Sequence, residues 1–486
     1  MGRVRSKVLV IFVAAWAVYW NSLDGEFVFD DTSIVQNNPQ IRNLAPENLK
    51  QIFGSHYWQT AAGQGGLYRP VVVLSYALNY ALGQLDPWGY HFVNVLLHAL
   101  NAVLVFVIVQ ELFGEGTFAF WSGLLFALHP IRTEAVAYVV GRAECLAALF
   151  FLAAWWCYLR GRWALAAVAF LLAALSKEST LTFLAVPALS DLVRGRRGEW
   201  KTYGALGVAA AAALALRSAV LGGIAPLAVS ASSNPLVGVG TATRLLTATA
   251  VFGKYLWLLV WPAALSADYS FNQIPRVDSP WTASSLLGLL GLIAVVAGTV
   301  WAWRRSKPLF LCGAFFLATF SLTSNFLRPI GTIMAERLLY LPSLGFTCAV
   351  AYAVAQTGRK QIAAVVLAFL YAGRTVSRNG DWHDHATLFS SAAEVSPNSS
   401  LVQANLANAL LYRRGDAAGA ARHAIEAIRI EPGDPAAYMT LGDAFLKLGD
   451  FAQAVKAYAR VEQLAAGSAG AHEAARRREA LERRLR

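Results

Sequence analysis

The chain has 486 residues, 57% of them hydrophobic and 14% charged, a balance too apolar for a soluble protein of ordinary charge content, so most of it belongs in lipid. The formal charge of +12 does not mark a nucleic-acid binder, because Lys and Arg fall in short clusters between apolar runs, as loops kept on the cytoplasmic side do. Cys145, Cys157, Cys312 and Cys348 all lie inside apolar runs, with no CxxC pair or His-rich neighbour, and read as packing residues.

A basic start, Met1 to Lys7, precedes the apolar run Val8 to Trp20; because many spans follow, an uncleaved first helix is expected. A span needs about 20 apolar residues, and further crossing candidates run over Tyr90 to Leu112, Phe118 to Leu128, Cys145 to Leu159 and Trp163 to Leu175. Later candidates are Leu181 to Leu192, Tyr203 to Val220, Leu245 to Trp261, Trp281 to Trp303, Leu309 to Phe326, Leu338 to Ala355 and Ile362 to Val376. Simple alternation puts Arg3, Arg5 and Lys7, then Arg160 and Arg162, then Arg194, Arg196, Arg197 and Lys201 on one side, the cytoplasm by the positive-inside rule. Arg304, Arg305 and Lys307, with Arg359 and Lys360, join them only if Leu245 to Trp261 dips into or lies along the outer interface without traversing. Parity then predicts about eleven crossings and an outward C-terminal tail. The first outer loop, 23–89, carries a second apolar run, Val71 to Leu82, too short to cross and expected as an interfacial helix. Pro70 suits its first turn.

After Asp381 the composition turns to alanine, charge and helical periodicity. A 34-residue offset superposes Gly415-Asp416 on Gly449-Asp450 and Ala420 on Ala454, while Leu441, Gly442, Phe445 and Tyr458 fill tetratricopeptide repeat (TPR) positions. Asp381 to Pro397 reads as the back half of an earlier unit, and the Arg-rich end from Ala471 as a cap. The predicted fold is thus all-α, a polytopic membrane domain over 1–380 followed by a TPR-type α-solenoid over 381–486.

An ionised side chain at bilayer depth costs roughly 2.5–3.5 kcal/mol on insertion scales, so acids and bases beside spans need partners or a polar cavity. Here they recur at span ends on one side. Asp30-Asp31 follows the first span, and neighbouring carboxylates raise one another's pKa, giving a group able to take a hydroxyl proton. Lys177-Glu178 and Glu336-Arg337 each place a cation and an anion beside an apolar run; singly such pairs read as interfacial ion pairs, but together on one face they suit a phosphate. Arg69 joins that set. His129-Pro130 ends a span, because proline cannot continue the helical ladder, and leads through Glu134 to Arg142 and Glu144. Their spacing matches no metal-site pattern, so no metal site is assigned and polar scaffolding is the reading preferred there. His91 and His129 are kept among the carrier-phosphate and sugar-binding candidates, although His91 and His98 also read as hydrogen-bonded core histidines.

These stretches together resemble the family of TPR-bearing transmembrane O-mannosyltransferases that act on cadherins, with their bacterial relatives, within the GT-C glycosyltransferase class. The resemblance rests on Phe27 to Asp31 with Asn38-Pro39, Tyr68-Arg69-Pro70, Gly89 to Asn101, Ala127 to Val136, Gly141 to Glu144, Ser176 to Glu178, Leu265 to Ser270 and Ala335 to Ser343. Arg132 departs from it, since the resemblance leads one to expect histidine there. It implies a GT-C fold using a polyprenyl-phosphate sugar as donor substrate, with no cofactor required and a divalent metal left open. It also implies Asp30 or Asp31 as catalytic base, with Lys177 and Arg337 on the leaving phosphate and Arg69 assisting. Glu134, Arg142, Glu144, Glu178 and Glu336 are expected to hold these groups or bind sugar hydroxyls.

The TPR units favour a protein or peptide acceptor held in a concave groove. Expected partners are then the lipid-linked sugar, that acceptor and membrane lipids, but no nucleic acid, in a bacterial inner membrane with the site outside the cytoplasm. A glycolipid or cell-wall acceptor is the nearest rival. A transporter or scaffold with a TPR arm is the rival of another class, opposed by the lack of an inverted repeat and by charges gathered at one face.

Overall fold

A computed structural model describes residues 2–58, 66–196, 198–223, 229–356 and 360–485. Of the residues singled out above, Met1, Arg197, Arg359 and part of the first outer loop, 59–65, lie outside the described residues. Every described element is helical. Among the described residues, five helices are long and apolar enough to cross a membrane: Val4–Ser22, Pro87–Phe113, Val139–Leu159, Trp200–Leu221 and Ala283–Arg305. Pro70–Gly83, Gly116–Leu128, Trp163–Ser176, Lys307–Ser321 and Ser343–Ala355 are apolar but shorter. The Pro87–Phe113 helix shows how local chemistry sets the bounds. Asp86 caps its start by accepting the Trp88 N–H, Pro87 occupies the first position, and Gly114 ends it with φ +69°, a left-handed conformation that glycine adopts without strain. Large side chains face outward on the peripheral helices, among them Leu287, Leu290 and Val300, and Ile362 and Phe369 further on. Water would make such surfaces costly, whereas lipid does not.

The ends of the bundle differ in charge. At one end Lys7 donates to the Gly116 carbonyl (2.8 Å), Arg160 pairs with Glu111 (3.0 Å), and Arg194 reaches both Glu111 (3.7 Å) and the Leu159 carbonyl (3.2 Å). Three of the basic residues read from the sequence as one-sided, Lys7, Arg160 and Arg194, thus gather there. The opposite end holds the turns that contain Asp31, Glu134, Lys177 and Arg337, tied together by hydrogen bonds and ion pairs.

The Thr241–Val260 helix has a different course from its neighbours. The chain before it and after it meets at the acid-bearing end, where Phe271 N–H donates to the Ser232 carbonyl (3.1 Å). Its first turn is held by Arg244 on the Leu327 carbonyl (2.7 Å), and its last by His129 Nε2 donating to the Leu259 carbonyl (2.9 Å). Both ends of this helix are thus tied to turns at the acid-bearing end. Other expected spans shift: Leu181 to Leu192 is split into a 3₁₀ stretch, Glu178–Leu184, and the helix Ala185–Arg194. The run from Leu338 becomes regular helix only at Ser343, because Glu336–Leu339 forms a 3₁₀ turn that carries the charged pair. The Val71 to Leu82 run is helical over Pro70–Gly83, with Pro70 at its first position.

In the C-terminal part, Ser400–Ala409 pairs with Ala417–Ile430 and Pro435–Leu448 with Phe451–Leu464, closed by Ala469–Leu485. The small residues of the repeat are there for contact. A Cβ on Gly442 would lie 2.6 Å from the Tyr458 ring, and Ala420, Ala437, Ala444 and Ala454 are fully buried. Gly415 and Gly449, matched by the repeat offset, both have positive φ and stop successive helices.

Candidate active site

The repeat is docked directly on the first outer loop. Val28, Ala137, Tyr138 and Ala267 share a buried cluster with Trp382, Leu388, Phe389 and Val402, and Tyr138 stacks on Trp382 at 5.1 Å. Phe29 holds φ +52°, a conformation uncommon for a side chain of its size. Its N–H donates to His385 Nε2 (3.1 Å) and its ring meets Phe389 edge-on at 5.6 Å, so contacts from the repeat hold this bend in place.

The bend separates the two acids. Asp31 is fully buried, and its carboxylate accepts the Val28 N–H (3.0 Å) and the Val140 N–H (2.8 Å). It staples the loop to the 139–141 turn. Asp30 is only half-buried; its N–H donates to the Tyr138 hydroxyl (3.0 Å). Burial raises the Asp30 pKa, opposed by Arg337 and the Tyr138 hydroxyl and assisted by Asp268 and Glu134. Asp30 thus lies within electrostatic reach of Arg337, Asp268 and Glu134, charges from three other chain segments.

Arg337 is the cation of that set. Its guanidinium pairs with Glu134 and its N–H donates to Glu134 Oε2 (2.7 Å), while 30% of its side chain stays exposed. Burial opposes the Arg337 charge, but Glu134, Tyr138 and Asp30 outweigh it and raise the pKa. Glu336 points the other way and is fully buried: Oε1 accepts the Ser266 N–H (2.6 Å) and the Tyr269 hydroxyl (2.7 Å), and Oε2 has no hydrogen-bond partner among the described residues. Burial pushes its pKa up to about 7, against the pull of Arg378 and with the push of Glu134.

A second charged group lies at the same end. Lys177 pairs with Glu144, and Arg69 grips Glu178 through Nη2 (2.9 Å) and Nε (3.3 Å). Burial lowers the Lys177 pKa, with Glu144 opposing it. Tyr57 joins the two groups: the Arg69 guanidinium lies 5.3 Å from its ring centre, and the charges of Arg69, Asp30 and Asp31 all act on its hydroxyl.

The structure does not bring every candidate into this region as a free ligand group. Arg142 is buried, and donates to Asn94 Oδ1 (2.8 Å), Asn79 Oδ1 (2.6 Å) and the Tyr90 carbonyl (2.8 Å); it knits helices together. His129 spends both ring nitrogens on backbone, donating to Leu259 and accepting the Ile131 N–H (3.2 Å). His91 is buried beneath Gly25, where an added Cβ would stand 3.2 Å from Nε2. Arg132 is also fully buried, its guanidinium 3.8 Å from the Phe126 ring centre and without a hydrogen-bond partner among the described residues. Sequence reasoning left Tyr138, Asp268 and Tyr57 out of the site. Asp268 was visible as a charge beside an apolar run, but only folding sets it against Ser399 of the repeat (2.8 Å) and within the field of Asp30.

Fold and charge arrangement define an all-helical membrane protein with a buried cluster of acids and cations roofed by a helical repeat. Residues 223–296 match the family model described as "Protein O-mannosyl-transferase TMTC, DUF1736", and 411–477 match a tetratricopeptide repeat. Human "Protein O-mannosyl-transferase TMTC3" is 29% identical over 96% of this chain and 56% of its own length. Mouse TMTC2 is 30% identical over 80% of the chain and 58% of itself, and Caenorhabditis elegans F38B6.6 28% over 88% and 63%. The chain is thus related to the TMTC protein O-mannosyl-transferases along most of its length, and it spans a little over half the length of these relatives.

Proposed function

We propose that the chain is a glycosyltransferase of the GT-C class, moving mannose or another hexose from a polyprenyl-phosphate donor to a hydroxyl of a protein. In this reading the acceptor oxygen attacks the anomeric carbon, its proton passes to Asp30, and the carbon–oxygen bond to phosphate breaks with its electron pair leaving on the polyprenyl phosphate. A single displacement of this kind inverts the anomeric carbon. Arg337 and Lys177 offset the charge developing on the phosphate, with Arg69 beside them. Glu134, Glu144 and Glu178 fix those cations.

The observation that carries this reading is the division of labour in the acid pair. Asp31 spends its oxygens on buried N–H groups, whereas Asp30 is half-buried, has a raised pKa and lies within the field of Arg337. A half-buried carboxylate whose oxygens are not committed to backbone N–H groups is suited to take the hydroxyl proton. The names of the relatives support a protein as acceptor.

The reading includes eleven crossings. The five long spans are joined by Gly116–Leu128, Trp163–Ser176, the 178–194 stretch, Lys307–Ser321, Ser343–Ala355 and Lys360–Asp381, leaving Thr241–Val260 on the acid-bearing side. That side is the outer face of a bacterial inner membrane, opposite the basic clusters. The test uses purified protein, polyprenyl-phosphate mannose and a protein acceptor. Asp30→Asn is expected to lower transfer by about 100-fold or more, in line with loss of a general base, and full activity in that variant would remove the proposed chemistry.

A further inference from the structure

Between the loop at 229–240 and the concave side of the repeat lies a cavity of about 510 Å³, inside the roughly 300–1,000 Å³ range of ligand sites. Its membrane-side wall presents the hydroxyls of Ser230, Ser232, Ser233 and Ser270. Its repeat-side wall includes Leu401, Asn405 and Asn408, which share one face of the Ser400–Ala409 helix by their spacing of four and three. Ser230 and Asn408 are exposed, so the groove opens to solvent along both walls.

The groove is linked to the proposed base through Asp268. Ser270, in its lining, donates through Oγ to Asp268 Oδ2 (2.5 Å), the same oxygen that accepts from Ser399 (2.8 Å), and Asp268 is one of the charges acting on Asp30. A chain lying in the groove therefore passes beside Asp268. Asn405 gives an N–H to the Leu401 carbonyl (2.8 Å) and keeps Oδ1 for a ligand; Asn408 has no side-chain partner among the described residues. On a helix, side chains three apart are about 5–6 Å from each other, close to the roughly 6.6 Å two-residue repeat of an extended chain. Two amides so spaced match the backbone groups of alternate residues.

Charge narrows the choice of chain. The lining holds two carboxylates, Glu431 and Asp434, and no Lys, Arg or His among the described residues. Glu431 is fixed by hydroxyls from both walls, Ser232 and Ser400 (2.6 Å to the latter). An acidic segment would be repelled there, and a cationic one attracted.

We propose that this groove binds an extended acceptor segment bearing Lys or Arg near its serine or threonine, aligns its backbone on Asn405 and Asn408, and discriminates against acidic segments through Glu431 and Asp434. The proposal rests on the protein-acceptor reading above. The experiment uses the full chain in detergent and two fluorescein-labelled decapeptides with one central threonine, flanked by lysines in one and glutamates in the other.

Binding is followed by anisotropy without donor, and transfer is measured separately. The lysine peptide is expected to bind about fivefold more tightly, the upper range for a screened ion pair, and the preference is expected to vanish in Glu431→Gln/Asp434→Asn. Asn408→Ala, an exposed position whose loss does not disturb packing, is expected to weaken both peptides by about fivefold, as loss of one hydrogen bond does. Equal binding of the two peptides, or binding untouched by Asn408→Ala in protein with the parent unfolding temperature, overturns the groove. If binding behaves as expected and no sugar reaches either peptide, the groove stands and the transfer reading falls.

Discussion

At the scale of single residues, the site is a set of charges whose partners decide their roles. Glu336 is the clearest case for pH, because its folded pKa is raised by burial from the ordinary carboxyl value to about 7. Between the two values the folded protein holds a proton that the unfolded chain has released, so stability falls as pH rises through that window and levels off above about pH 7. Difference infrared spectra are expected to show a protonated carboxyl band at pH 6 that disappears by pH 8 and is absent in Glu336→Gln. A band that is missing at pH 6 in the parent would contradict the raised pKa. Lys177 and Glu144 make a different point. Both are buried, so Lys177→Met leaves an uncompensated acid and is expected to cost about 3–5 kcal/mol. The double variant Lys177→Met/Glu144→Met is expected to regain much of that stability in denaturant titrations while transfer stays lost. Recovery of transfer as well would show the pair to be structural only.

Asp30 and Asp31 show what could be read from residues alone. An acidic pair beyond the first span was legible, since a DD dipeptide at a water–lipid boundary is conspicuous. Which acid remains available was not, because the N–H donors that occupy Asp31 come from Val28, three residues away, and from Val140, far along the chain. The same limit applies to Arg142 and His129: their charge or ring nitrogens marked them as ligands, and long-range packing absorbed them.

At the scale of elements, the helices followed from hydrophobic run length and from caps, and their ends from proline and glycine. The Thr241–Val260 helix was ambiguous as a run, since its length alone suits a span. Its seat depends on contact between small residues, since a Cβ on Gly288 would stand 2.1 Å from the Thr249 carbonyl oxygen. Within the repeat, Gly442 is held against Tyr458 in the same way. Gly442→Val is expected to destabilise the repeat by about 1–3 kcal/mol, the range for overpacking. Limited proteolysis within 400–485 should rise in that variant, and unchanged cleavage would show that the two helices adjust freely.

At the scale of the whole molecule, the two domains form a continuous structure around Asp30, because Trp382, Phe389 and His385 of the C-terminal part pack on the loop that carries it. Cutting the chain after Asp381 is therefore expected to loosen that loop and to abolish transfer even if the membrane part still inserts; transfer retained by residues 1–381 would count against the docking. The topology is checked by single cysteines in a background lacking the native four. Ser230→Cys and Gly433→Cys should label from outside intact cells, and Ser306→Cys only after the membrane is opened.

What the sequence determined by itself was the membrane character, the repeat, the sidedness of the charges and the acids and bases worth inspecting, because hydropathy, helical period and charge clustering are local properties of the chain. Only the tertiary structure decided which charges meet, since the Glu134–Arg337 pair and the Asp268–Ser399 contact join residues separated by more than a hundred positions. Burial and partnering, which fix whether a carboxyl is a staple or an available base, arise from those distant contacts and have no signature in any short stretch of residues.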